Sequence, residues 1–239
     1  VAKTTNWDDA ERAILTAETI LIVSHLSPDG DAVGSLLSIA NALHALGKTI
    51  VSALDDGVPD ILRFLPNSAT VQTTLTDGDW DLMISVDSSD EERTGKCGAY
   101  GRLHSKTVIN IDHHATNVMF GNIHLVDPTA VSATEVIFQL LKTMNFKFSP
   151  EVATPLLTGL VTDTLGFRTN NVKPDTLLIA HELMGYGASL TEITARTLGN
   201  KSFLAVNLWK YALATVQLHE GGVISAEITQ ESLKRAGLN

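Results

Sequence analysis

The stretch TILIVSHLSPDGDAVGS, residues 19–35, decides how this chain is read. Its apolar run, Ile20 to Val23, is short enough for a buried strand. Pro28 and Gly30 then impose a turn. Beyond it Val33, Leu36, Leu37, Ala40, Leu43 and Leu46 recur at helical spacing. His25, Asp29 and Asp31 therefore sit on a strand-to-helix turn, the place where an open parallel sheet binds its ligand. An imidazole with two carboxylates suits a hard divalent cation such as manganese or magnesium. The same carboxylates suit a solvated turn that caps the helix behind it. The stretch alone leaves both readings open.

Working outward, residues 6–19 read as a helix and Thr49 to Leu54 as a second strand. With the helix of residues 32–46, closed by Gly47, that makes one βαβ unit. DLMISVD (residues 81–87) is a third strand ending in a carboxylate. TVINID (residues 107–112) is a fourth, running into Asp112, His113 and His114. Ile123 to Val126 reads as an edge strand. A helix over 132–144 opens with a capping box, Ser132 at N-cap and Glu135 at N3. Ser149 and Pro150 open the next, which leads to Asp163. Further helices are expected over 174–185, 191–197 and 202–218, then a strand over 222–227 and a short helix over 229–236. The alternation predicts an α/β fold, a mostly parallel sheet flanked by helices.

Composition narrows the function. The 239 residues are 44% hydrophobic and carry a formal charge of −10. That charge argues against wrapping long nucleic acid on a basic surface. It leaves room for a small phosphorylated substrate, because bound cations invert the local field. Cys97 is the only cysteine, which precludes an intramolecular disulfide and fits a reducing compartment. No apolar run approaches the ~18 residues of a membrane helix. The opening VAKTTNWDDAERA has no apolar core of a signal peptide. A cytoplasmic address and no membrane partner are the expectations.

Three strands thus end in acidic or imidazole groups: His25/Asp29/Asp31, Asp87, and Asp112/His113/His114. In a parallel sheet all three ends share one edge. Asp163, after an apolar helix, is a fourth candidate, since a carboxylate there needs a partner. So many carboxylates call for two cations about 3.5–4 Å apart, with a shared Asp between them.

The set SHLSPDGDA, SVDSSD, NIDHHATN and LVTDT, in this order, resembles the DHH phosphoesterase superfamily. LVDPTAVSATEVIFQLL and FRTNN are similar to its nanoRNase/pAp-phosphatase (RecJ-like) branch. The resemblance covers about residues 20–196. It implies that His25, Asp29 and Asp87 hold a first metal. It implies that Asp31, Asp87, His113 and Asp163 hold a second, with Asp87 as the bridge. His114 would face the substrate phosphate, as charge stabiliser or proton donor, and Asp112 would fix a histidine tautomer. Manganese, two ions, is the implied metal, with magnesium possible. The implied reaction is hydrolysis of short RNA or DNA oligonucleotides, or of 3′-phosphoadenosine 5′-phosphate (pAp), by a metal-activated water. The implied plan is a catalytic domain over 1–190, a helical linker over 191–219 and the beginning of a substrate-binding domain over 220–239. The glycine-rich motif usual in that second domain is absent, so either the chain is a fragment of a longer product or its substrate grip differs.

Other readings remain beside it. A cyclic-dinucleotide phosphodiesterase is the runner-up. A magnesium-binding receiver module would use Asp55, Asp56 and Asp87 as a phospho-acceptor site. A metal-binding protein without activity is the third. Arg168 suits a substrate phosphate and a surface loop equally. The stripe Leu204, Leu208, Tyr211, Ala212 and Thr215 suits packing or a homodimer face.

Overall fold

The computed structural model describes residues 5–199 and 202–238. Its contacts divide the chain into two units, Val1–Thr197 and Leu198–Asn239.

In the first unit the chain runs α1 (Thr5–Thr16), β1 (Thr19–Val23), α2 (Gly30–Ala45), β2 (Thr49–Ala53), β3 (Trp80–Val86) and α3 (Gly95–Leu103). It continues through β4 (Ser105–Asp112), β5 (Ile123–Val126), α4 (Ala133–Thr143), α5 (Pro150–Asp163), α6 (Pro174–Gly185) and α7 (Leu190–Thr194). The five strands form one sheet in the order β2-β1-β3-β4-β5, with every pair parallel. This is the expected α/β fold. Val23 lies beside Ala53 and Ser85, and Val86 beside Ile111. The register therefore brings the C-terminal ends of β1, β3 and β4 to one edge. The order reverses between β1 and β3, which opens a crevice at that edge.

Ile20 to Val23 are wholly buried, as a strand covered on both faces requires. Residues Gly30 to Leu43 of α2 are all buried too, so this helix is covered on every side. It lies almost in backbone contact with α5. A Cβ on Gly34 would stand 2.6 Å from Pro155 O, and one on Gly159 would stand 2.5 Å from Asp31 Oδ1. Only glycine permits that approach, and the approach fixes Asp31 beside α5.

The second unit contains α8 (Phe203–Leu213), β6 (Gln217–Leu218), β7 (Ile224–Ser225) and α9 (Gln230–Ala236). Here the structure corrects two expectations. The helix over 202–218 ends at Leu213, and residues 217–218 pair antiparallel with β7 instead. The strand over 222–227 shrinks to two residues, because Gly221 and Gly222 adopt φ of 83° and 79° and turn the hairpin. A third correction concerns Glu135, whose Oε2 accepts from Val131 N (3.0 Å), one residue before the N-cap. Ser132 Oγ does accept from Glu135 N (3.1 Å). The expected helix over 191–197 stops at Thr194 and loosens into a π turn, Ala195–Gly199. No helix among the described residues is long and apolar enough to cross a membrane.

Candidate metal centre

Three strand ends and one helix end build the site. His25 follows β1, Asp87 follows β3, Asp112 closes β4, and Asp163 is the last residue of α5. Asp87 continues the ladder by donating its N–H to Ile111 O (2.8 Å), yet its φ is 52°. A left-handed aspartate is uncommon, and such outliers cluster where a side chain is aimed for function. Here the turn points a buried carboxylate at two imidazoles. His25 Nε2 lies 3.4 Å from Asp87 Oδ2, and His113 Nε2 lies 3.7 Å from Oδ1.

His113 Nε2 also stands 3.5 Å from Asp163 Oδ2 and 3.9 Å from Asp31 Oδ2. Ligand atoms of His25, Asp29 and Asp87 fall within 4.8 Å of one another, and so do those of Asp31, His113 and Asp163. A further group joins Asp87 to Asp112, His113 and His114 at the same spacing. All eight residues expected as ligands or neighbours of the site are thus brought together. The donor set, carboxylate oxygens and imidazole nitrogens, suits a divalent cation.

Two details test that fit. Asp87 Oδ1 is buried and accepts no hydrogen bond, which is costly unless a cation meets it. His25 Nδ1 lies 2.7 Å from Leu26 O, which fixes the proton on Nδ1 and leaves the Nε2 lone pair facing Asp87. The cluster can hold metal on both counts.

Electrostatics agree. Burial pushes the Asp87 carboxyl well above the usual carboxylate range, and the charges of Asp31, Asp29 and Asp112 push it further. Burial also raises Asp31, while His113 and the Thr134 hydrogen bond pull it back. Asp163 is pushed up to about 7 by burial, then by Asp31 and Asp29. Mutual repulsion of this kind is what a bound cation relieves.

Asp29 answers the ambiguity left by the sequence. Its Oδ1 caps α2, accepting from Asp31 N and Ala32 N at 3.0 Å each, and the same carboxylate belongs to the cluster with His25 and Asp87. Cap and candidate ligand are one residue. Asp31 is anchored from a distance in sequence: Ala133 N donates to Oδ2 (2.6 Å), and Thr134 N and Oγ1 donate to Oδ1 (3.1 and 2.8 Å). The N-terminus of α4 therefore positions Asp31, a role the sequence did not reveal.

On the outer side, His114 Nδ1 donates to Asp112 Oδ1 (2.8 Å) and lies 3.6 Å from Asp87 Oδ1. The Asp112 hydrogen bond, against burial, brings His114 up to about 9, so the ring is an imidazolium near neutrality. Asp112 is wholly buried, yet its carboxyl is held down: burial is outweighed by the hydrogen bonds from His114 and Asn117.

The remaining expectations part ways. Arg168 lies exposed on the turn after α5 and donates Nε to Leu165 O (2.7 Å), and no ion pair joins it to the cluster among the described residues. Asp55 is spent on Lys96 N and Cys97 N (2.7 and 2.8 Å), where it caps α3, and Asp56 accepts from Ser27 N (2.6 Å). Among the described residues neither joins Asp87 in a cluster that could hold a metal, as a receiver site would require. Cys97 is buried and its thiol is pushed up to about 12 by burial and Asp55, which makes it inert.

Comparison with known proteins places this geometry. The DHH family, N-terminal domain, matches residues 19–160. The bifunctional oligoribonuclease and PAP phosphatase NrnA of Thermus thermophilus is 38% identical over 208 residues, covering 86% of this chain and 61% of that protein. The protein of the same name from Bacillus subtilis is 29% identical over 233 residues, 95% of this chain and 71% of that one. A crystal structure of an exopolyphosphatase-related protein from Bacteroides fragilis superposes with a TM-score of 0.90 at 26% identity, over 98% of this chain and 72% of that one. The chain thus spans about 61% of the length of its Thermus relative.

Proposed function

Since the chain belongs to the DHH family, we propose that it is a two-metal, manganese-dependent phosphoesterase acting on short oligonucleotides, on pAp, or on both. The observation that carries the reading is Asp87: one buried carboxylate with an imidazole nitrogen against each oxygen and no hydrogen donor on Oδ1. The names of the Thermus and Bacillus relatives support the substrate class.

In this reading His25, Asp29 and Asp87 hold one cation, and Asp31, Asp87, His113 and Asp163 hold the other, with magnesium an alternative ion. Bound there, two divalent cations would supply Lewis acidity and a water of lowered pKa for attack on phosphorus. The chain's own residues do the rest. Asp87 would be shared by the two positions, its backbone held at the strand end by the N–H bond to Ile111 O. Thr134 and the α4 amides hold Asp31 in place. His114, held by Asp112, presents its ring beside the phosphate, to steady charge on its oxygens or protonate the leaving oxygen. Arg168 offers its guanidinium to a second phosphate from the turn after Asp163.

The same proposal assigns residues 1–190 to catalysis, 191–219 to a linker whose helix ends at Leu213, and 220–239 to a substrate-binding segment. It places the protein in the cytoplasm, where its one buried free thiol is at home, and allows a homodimer.

The experiment is a substrate panel: a 5′-labelled RNA trinucleotide, pAp and a cyclic dinucleotide, each with Mn²⁺ and then with EDTA. Mononucleotides from the trimer, or phosphate from pAp, released only with metal, is the expected result. Preference for the cyclic dinucleotide would move the protein to another branch of the family. No turnover of any of the three by protein holding two metals would refute the reading.

A further inference from the structure

We propose that Asn117 is a positioning residue of the active site, holding Asp112 so that Asp112 holds His114 against the substrate. This rests on the reading that His114 faces the phosphate. Asn117 follows the DHH segment, in ATN after His114, and is not among the residues with an expected role.

The hydrogen bonds define its job. Asp112 Oδ1 already accepts from His113 N and His114 Nδ1, both at 2.8 Å. Its other oxygen, Oδ2, accepts from Asn117 Nδ2 at 2.6 Å. The amide of Asn117 is itself locked. Nδ2 also contacts Asn110 Oδ1 (2.8 Å) and Ser88 O (3.1 Å), and Oδ1 accepts from Met119 N (2.6 Å). Asn110 is wholly buried on β4 and donates Nδ2 to Ser88 O (3.0 Å). Ser88 is the residue after Asp87.

This closed network ties the β3 end, the β4 interior and the loop after His114 into one unit. A carboxylate with one free oxygen can rotate about its Cβ–Cγ bond and carry the imidazole with it. With Asn117 on Oδ2 and a backbone amide on Oδ1, Asp112 cannot rotate. The His114 ring then has one orientation, and its Nε2 is the ring atom left to face substrate. Neutral amide chemistry is what the place requires: a basic residue would compete with His114 for Asp112, and an acid would repel it.

The test uses Asn117→Ala and the isosteric Asn117→Asp, which keeps an acceptor for Met119 N but loses the donor to Asp112. Both should hold two manganese ions and keep KM for the RNA trinucleotide within about twofold. Both should lose about 10–100-fold in kcat, as loss of an outer hydrogen-bond partner does. In a His114→Ala background, Asn117→Ala should cost nothing further, since its effect passes through that ring. A second readout needs no turnover. In the magnesium-loaded protein the His114 Nδ1–H proton should be visible by NMR as a slowly exchanging downfield signal, and it should be lost to exchange in both variants.

Unchanged kcat with an unchanged signal would overturn the proposal. So would a rate loss in Asn117→Ala that adds fully to that of His114→Ala. If the unaltered protein hydrolyses neither RNA nor pAp, the functional reading fails, and the proton signal still decides whether Asn117 orients His114.

Discussion

Asp87 Oδ1 and His113 Nε2 stand 3.7 Å apart across a buried gap, with no hydrogen donor on the carboxylate oxygen. The separation is too long for a hydrogen bond and short enough for both atoms to share a cation. Asp87→Asn keeps the shape and removes the charge. It should lower the metal content per chain, read by elemental analysis, and reduce turnover by more than the ~10–100-fold that an outer partner costs. Retention of two metals with full activity would refute the role of Asp87.

The cluster makes stability depend on pH in a way that metal abolishes. In the metal-free protein, burial and the charges of Asp31 and Asp29 raise the folded-state Asp163 carboxyl to about 7, well above its unfolded value. A raised acid contributes stability that is complete below the unfolded pKa and lost as pH rises through the folded one. The EDTA-treated protein should therefore melt at a lower temperature at pH 8 than at pH 6. With saturating Mn²⁺ that loss should be much smaller, and calorimetric titrations in buffers of different ionisation enthalpy should show proton release on binding near pH 7.

Gly159 is required by packing. An added methyl would meet Asp31 Oδ1 at 2.5 Å and the Thr134 side chain closer still. Gly159→Ala should destabilise by about 1–3 kcal/mol in urea melts and weaken metal binding through Asp31. Gly185→Ala is the control: a Cβ there meets nothing within 4 Å, so its effect should stay within about 1 kcal/mol.

At the opposite end of the sheet, Asp81 ties three elements. Its Oδ2 accepts from Glu18 N (3.0 Å) and Thr19 N (3.1 Å), and its Oδ1 accepts from Lys106 Nζ (2.7 Å). Lys106 and the two amides hold this carboxyl far below the usual range. A depressed acid stabilises above its unfolded pKa, and the contribution fades as pH falls through the folded one. Asp81→Asn should be less stable than the unaltered protein at pH 7, with the gap narrowing below about pH 4 in denaturant melts. A gap independent of pH would show that the charge contributes nothing.

Much of this site could be read from the chain because period-2 and fully apolar runs end visibly in charged residues. Ile20 to Val23 before His25, and VINID before His113, announce strand ends, and a parallel sheet does the convergence. Asp29 is ambiguous in sequence because cap and ligand demand the same chemistry, and in the structure it caps α2 while lying in the cluster with His25 and Asp87. Thr134 and Asn117 were opaque for another reason. Asp31 meets Thr134 across 103 positions, and no local pattern encodes a partner at that range. Asn117 sits close in sequence to Asp112, but loop geometry, with Met119 at φ of 58°, decides which way its amide points. The overlong helix over 202–218 failed where Thr215 turns its hydroxyl to Glu227 and two left-handed glycines fold the chain back.

The most direct test of the central claim is anomalous X-ray diffraction from crystals of the manganese-loaded protein. The account predicts two manganese peaks about 3.5–4 Å apart. One should lie between His25, Asp29 and Asp87, the other between Asp31, His113 and Asp163, with Asp87 touching both. A single peak, or a pair that leaves Asp87 out, would contradict it.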